Sequence, residues 1–230
     1  MKQMLLDSVY FGVLLTLGAY AIGMMLKRKL GWSILNPLLI AIILIIAFLA
    51  IMEIPYASYN ASANLVSYLL TPATICLAVP LYQQVELLKN NYKAVVAGIV
   101  SGVLSSMISV LALALLFQFD HVSYVTFLPK SITTAIGMGI SAELGGFVPL
   151  TVVAIVLTGI FGSLVADKVL HVLHIEEPIA KGIAIGSASH AMGTAHAMEL
   201  GQVEGAMSGL SIVVSGIVTV LAATLFSWIM

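Results

Sequence analysis

Residues 178–205 gather more polar chemistry than the rest of the chain. Ser187, Ser189, His190, Thr194, His196 and Glu199 stand among Gly182, Gly186, Gly193 and Gly201. The stretch is long enough to cross a bilayer, and hydrocarbon offers no water to satisfy hydroxyls, imidazoles or a carboxylate. Such a cluster is expected to face a protein-lined cavity. The glycines are expected to let the helix break there and free backbone groups for a ligand, making this half of a solute-binding site. The competing reading is a helix whose small residues only pack against neighbours.

Three further groups carry candidate chemistry. Lys130 is the only Lys or Arg between Lys93 and Lys168, and it follows Pro129 directly. Its ammonium, with Ser131, Thr133, Thr134 and the N-terminal end of a short helix, suits a substrate carboxylate. The alternative is a lysine snorkelling to the interface. Thr71 and Thr74 flank Pro72, where a proline break would offer hydroxyls and freed carbonyls to the same cavity. A plain kink is the competing account. His190 suits a coupled proton because imidazole titrates near neutral pH. His196 and Glu199, three apart on one helix face, are candidates for the same role or for satisfying each other.

Other patterns lead nowhere. His171 and His174 with Glu176 and Glu177 have metal-like spacing but no further ligands nearby, so a solvated loop is expected and no metal or other cofactor. Gly186-Ser-Ala-Ser-His190 lacks the closing glycine and the strand-turn-helix setting of a nucleophile elbow, so no enzyme chemistry is expected.

The elements that must position these groups follow from composition. Of 230 residues, 61% are hydrophobic and only 8% charged, with a mean hydropathy of +1.13. A soluble domain carries about 25% charged residues. An all-α integral membrane protein is expected, its partner surface a lipid bilayer. At about 20 residues per span the length accommodates roughly seven or eight membrane segments. The net charge of −1 gives no reason to expect nucleic acid. Cys76 lies in an apolar run and reads as a packing residue. Apolar segments are expected at 8–26, 33–52, 61–87, 94–117, 147–170, 178–201 and 207–229. Those at 61–87 and 178–201 are broken, and 125–144 is re-entrant with a short helix over 131–144. The first segment reads as retained, not as a signal peptide. Polar loops are expected at 53–60, 118–124 and 167–181.

A shift of 118 residues aligns 84–100 with 202–218. Eight of these seventeen positions are identical: Gln-Val-Glu, then Val-Val, then Gly-Ile-Val. Thr71-Pro72 then falls opposite Ser189-His190. The Lys and Arg distribution places Lys27–Lys29, Lys89, Lys93 and Lys168 on the cytoplasmic side, which favours inverted halves of about 1–118 and 119–230. Parallel halves are the alternative.

The chain resembles the LrgB/CidB family. The resemblance rests on Leu70-Thr-Pro-Ala-Thr-Ile-Cys-Leu-Ala-Val-Pro-Leu-Tyr82, Leu128-Pro-Lys-Ser-Ile-Thr-Thr-Ala-Ile136, Pro178-Ile-Ala-Lys-Gly-Ile-Ala-Ile-Gly-Ser-Ala-Ser-His190 and Gly193-Thr-Ala-His-Ala-Met-Glu-Leu-Gly-Gln-Val-Glu-Gly205. It covers nearly the whole chain as one domain. It implies a multi-pass protein of the bacterial inner membrane, acting as a homo-oligomer or with a small LrgA/CidA-type protein. Family members are described as antiholin-like modulators of murein hydrolases and lysis. Plastid relatives carry glycolate and glycerate, and some bacterial members are linked to pyruvate. The expected function is an ion- or proton-coupled carrier of small monocarboxylates, with lysis control as the alternative.

The topology is testable. In a Cys76→Ala background, single cysteines at Lys27, Lys89 and Lys168 are expected to resist an impermeant thiol reagent added outside intact cells. Labelling of position 168 alone would exclude the inverted arrangement.

Overall fold

The computed structural model describes residues 8–30, 37–69, 72, 75–76 and 78–230. Every regular element among them is helical. The chain divides into two compact units, Met1–Cys76 and Leu77–Met230.

In the first unit, α1 (Phe11–Leu30) packs on α2 (Pro37–Ile51) and α3 (Tyr56–Ser67). The Gly12 N–H donates to Ser62 Oγ at 2.8 Å, and Thr16 Oγ1 lies 2.8 Å from Tyr59 OH. These bonds need close backbones: a Cβ on Gly12 would stand 2.7 Å from the Tyr59 carbonyl oxygen. The expected loop 53–60 is shorter than predicted, because Pro55 presets an extended N-cap and the helix begins at Tyr56. Thr71 and Thr74 lie outside the described residues. Pro72 and Cys76 are described and exposed, so Cys76 is not the packing residue its apolar neighbours suggested.

The second unit contains α4 (Ala78–Gln83), α5 (Val85–Leu116), α6 (His121–Phe127), α7 (Thr134–Glu143), α8 (Val148–Val172), α9 (Pro178–Leu200) and α10 (Gln202–Ser227). At 1.5 Å per residue the 32 residues of α5 extend about 48 Å. Its buried stripe, Val95, Ile99, Val103, Met107, Val110 and Ala114, recurs at helical spacing.

Around α5 the chain makes two helical hairpins. The first is α6 and α7. Thr151 Oγ1 donates to the Thr126 carbonyl at 2.9 Å and lies 2.7 Å from Ser141 Oγ, so the two helices run back beside each other. Their joint is 128–133, holding Pro129 and Lys130. Asp120 caps α6 by accepting from the Ser123 N–H at 3.0 Å. Hydrogen bonding from Ser123 holds its carboxyl below the usual range.

The second hairpin lies within α9. At His190 the backbone takes φ 43° and ψ −137°, and the helix reverses. Ile185 and Ala197 consequently share one buried cluster, although a straight helix would hold them about 18 Å apart. Residues 178–189 run parallel to α10, with Gly182 against Glu204 and Gly186 against Ser208. Residues 191–200 run antiparallel to it, with Met198 against Gly205 and Thr194 bonded to Ser208. This revises the expected break. Gly182 and Gly186 do not open the helix; they let it approach α10, and the reversal falls on a histidine.

Helix ends show a recurring closure. Glu53, Gln118, Gly145 and His174 have φ between 50° and 78°. In each case the next N–H donates to the carbonyl five residues back, at 2.7–2.9 Å. His174 therefore serves a helix terminus, and His171 beside it is exposed.

Among the described residues four helices are long and apolar enough to cross a membrane: α1, α5, α8 and α10. Neither arm of either hairpin exceeds 12 residues, or about 18 Å, so no single arm crosses.

Membrane helices gain stability from backbone proximity more than from apolar burial. Gly186→Ala would set a methyl 2.5 Å from the Ser208 carbonyl oxygen and is expected to cost about 1–3 kcal/mol. Gly139→Ala meets nothing within 4 Å in α7 and is expected to be neutral or to add up to about 1 kcal/mol. Denaturant titration in detergent, followed by circular dichroism, distinguishes the two.

Candidate functional site

The two hairpins approach α5 from opposite ends. Gly98 meets Ile183 and Gly102 meets Ser187, so residues 178–189 climb α5 from its N-terminal end. The first hairpin follows directly from the C-terminal end of α5 and reaches Ser106 with its joint. Both joints meet in one cavity of about 550 Å³, lined by Lys130 and Ser131 from the first and Ser187 and Ala188 from the second. Ser105, Ser106 and Ser109 from α5 and Thr158 from α8 complete its polar wall.

Lys130 is the cation of this cavity. Its Nζ donates to Ser131 Oγ at 3.1 Å and toward Ser106 Oγ at 3.4 Å, and those hydroxyls are 2.9 Å apart. Among the described residues no carboxylate pairs with Lys130. A half-buried ammonium held only by hydroxyls favours an anionic ligand, because hydroxyls solvate the charge without neutralising it. Thr133 and Thr134 stand at the start of α7 and are not in this lining.

His190 sits elsewhere. It is 4% exposed, and its Nε2–H donates to the Ile155 carbonyl at 3.0 Å. Gly159 of α8 makes room for the ring, since a Cβ there would stand 2.6 Å from His190 Cε1. Ser189 is buried against Gly162. Thr194 donates to the His190 carbonyl at 3.1 Å and lies 2.7 Å from Ser208 Oγ. These groups fix the reversal, whereas Ser187, one turn earlier, faces the cavity. His196 Nε2 lies 2.8 Å from Asp167 Oδ1, a partner 29 positions away. Glu199 is exposed.

The sequence reading missed Ser105, Ser106, Ser109 and Thr158. A signal was present: Ser101, Ser105 and Ser109 recur every four residues inside an apolar span.

The sequence profile of the LrgB-like family matches residues 16–229. The chain belongs to the LrgB-like family. It is 37% identical over 220 residues to the antiholin-like protein LrgB of Bacillus subtilis, covering 95% of each chain. It is 36% identical over 218 residues to proteins of the same name from Bacillus cereus and Bacillus anthracis, covering 94% of this chain and 95% of theirs. No solved structure matches it. With four membrane-length helices and this membership, the chain is a membrane protein. Three of the four motifs that carry the LrgB resemblance fall on the hairpins. Residues 128–136 hold the first joint and the start of α7, 178–190 the rising arm of α9 and its reversal, and 193–205 its return and the start of α10.

The strain at His190 can be tested separately from any ligand. Only glycine adopts φ 43°, ψ −137° readily, and such a conformation costs a larger residue about 1–3 kcal/mol. His190→Gly relieves the backbone while losing the bond to Ile155. His190→Val loses the bond and adds a β-branch. We expect the valine variant to be less stable than the glycine variant by about 1–3 kcal/mol in the same denaturant titration. Equal stabilities would show that the reversal is not strained.

Proposed function

We propose that the chain is an antiholin-like protein of the bacterial inner membrane that modulates murein hydrolase activity and lysis. The observation that carries this reading is full-length similarity to relatives named antiholin-like protein LrgB. Action as a homo-oligomer or with a small LrgA/CidA-type membrane protein belongs to the same proposal. So do seven or eight membrane segments in two inverted halves.

A specific observation favours a second reading, a carrier of small monocarboxylates such as pyruvate, glycolate, glycerate or lactate. Lys130, held by Ser106 and Ser131 without a carboxylate, lines a cavity where two broken helices meet. Discontinuous membrane helices with polar joints commonly surround a solute. The buried position of His190, donating to a backbone carbonyl, supports positioning more than proton coupling. His196 beside Asp167 is the better candidate for a coupled proton.

The readings separate experimentally. A modulator changes wall hydrolysis and autolysis of cells without saturable uptake by the purified protein. A carrier takes up labelled carboxylate into proteoliposomes. In that assay Lys130→Ala is expected to lose uptake at matched protein amount and Lys130→Arg to keep part of it, since charge survives while geometry changes. Uptake by Lys130→Ala near the unaltered level would remove Lys130 from the site.

A further inference from the structure

The Lys130 cavity is not isolated. A second cavity of about 670 Å³ lies between α5 and the rising arm of α9, with Asn91 and Glu177 at one end. Gly102, Ser105, Ala184 and Ser187 line both cavities. The two are therefore one trough. It follows α5 from Asn91, near Lys89 and Lys93, up to Ser109 and the Lys130 ammonium.

The trough has one polar wall and one end. Ser101, Ser105 and Ser109 form its α5 side, the first and last bonded to their own helix at 2.8 and 2.6 Å. Beyond the joint of the first hairpin the contacts are apolar: Met107, Val110 and Ala114 of α5 pack with Tyr124, Leu128 and Ile140. Between these lies a void of about 10 Å³ beside Ser131 and Ser187, room for about one water.

We infer that this trough is a one-sided aqueous route by which a small singly charged anion reaches Lys130 from the face carrying Lys89 and Lys93. The inference rests on the carrier reading for the purpose of the route, but not for its existence. An ammonium with hydroxyl neighbours requires water or an anion at its open side, because hydrocarbon there would leave the charge unsolvated. Among the described residues lining the trough Lys130 is the one Lys or Arg, and one cation balances one negative charge. Glu177 at the mouth disfavours a second.

The test is cysteine accessibility in sealed vesicles of both orientations, in the full chain with Cys76→Ala. Ser101→Cys, Ser105→Cys and Ser109→Cys are expected to react with an impermeant thiol reagent applied from the Lys89/Lys93 face and not from the other. Val96→Cys and Leu104→Cys, exposed on α5 outside the trough, are expected to stay unlabelled. Lactate is expected to slow labelling at 105 and 109, and neutral lactamide is not. Unlabelled serine positions, labelling from the opposite face, or equal labelling at 96 and 104 would overturn the route. Labelling indifferent to lactate would overturn its assignment to an anion. A protected, one-sided trough in vesicles that show no lactate flux would instead count against the carrier reading alone.

Discussion

The second unit depends on the reversal of the backbone at His190. A helix of 23 residues, Pro178–Leu200, would by length reach across a bilayer as one rod. Folding it at His190 places both arms on α10 and brings Ser187 and Ala188 to the middle of α5. The φ of 43° is unfavourable for a side-chain-bearing residue, so other contacts must hold it. They are specific: the Ile155 carbonyl accepts from the ring, Gly159 and Gly162 open space on α8, and Thr194 ties the return arm to the His190 carbonyl and to Ser208.

That arrangement explains why glycine and serine are frequent along α5, α8, α9 and α10. Apolar burial contributes little between helices in lipid, so adhesion comes from close packing and interhelical hydrogen bonds. Gly182 and Gly186 let the rising arm reach the α10 backbone, while Ser208 serves both arms, by its backbone on one side and its hydroxyl on the other. The remaining hydroxyls sort by direction. Ser211 and Ser187 donate into their own helix, Ser187 at the cavity wall, whereas the hydroxyls of Ser106 and Ser131 meet each other between the joints. Among the described residues Lys130 is the one cation lining that space.

Local sequence made several features legible. Long apolar runs set α5, α8 and α10 as membrane-length helices, because that length and hydropathy have no other stable setting. Pro129 followed by Lys130, Ser131 and two threonines marked a joint, because proline disrupts the helix and polar groups need a wet or protein-lined place. The crowding of hydroxyls and imidazoles over 187–199 marked a second. The helical reading of 53–60 and 118–124 was hidden, because Pro55 and Asp120 start helices in stretches whose polarity resembles loops.

The direction in which a side chain acts was decided by tertiary structure. Sequence places His190 and Ser187 equally in a polar cluster; the fold buries the ring against Ile155 and turns Ser187 to the cavity. Sequence offers His196 a neighbour three residues on, yet its imidazole meets Asp167 on another helix. Ser106 is one serine in an apolar run until the first hairpin brings Lys130 to it. Composition and periodicity determine that a segment is helical, apolar or broken, since those depend on neighbours along the chain. Which broken ends face each other depends on contacts between residues far apart in sequence, and only the packed helices supply them.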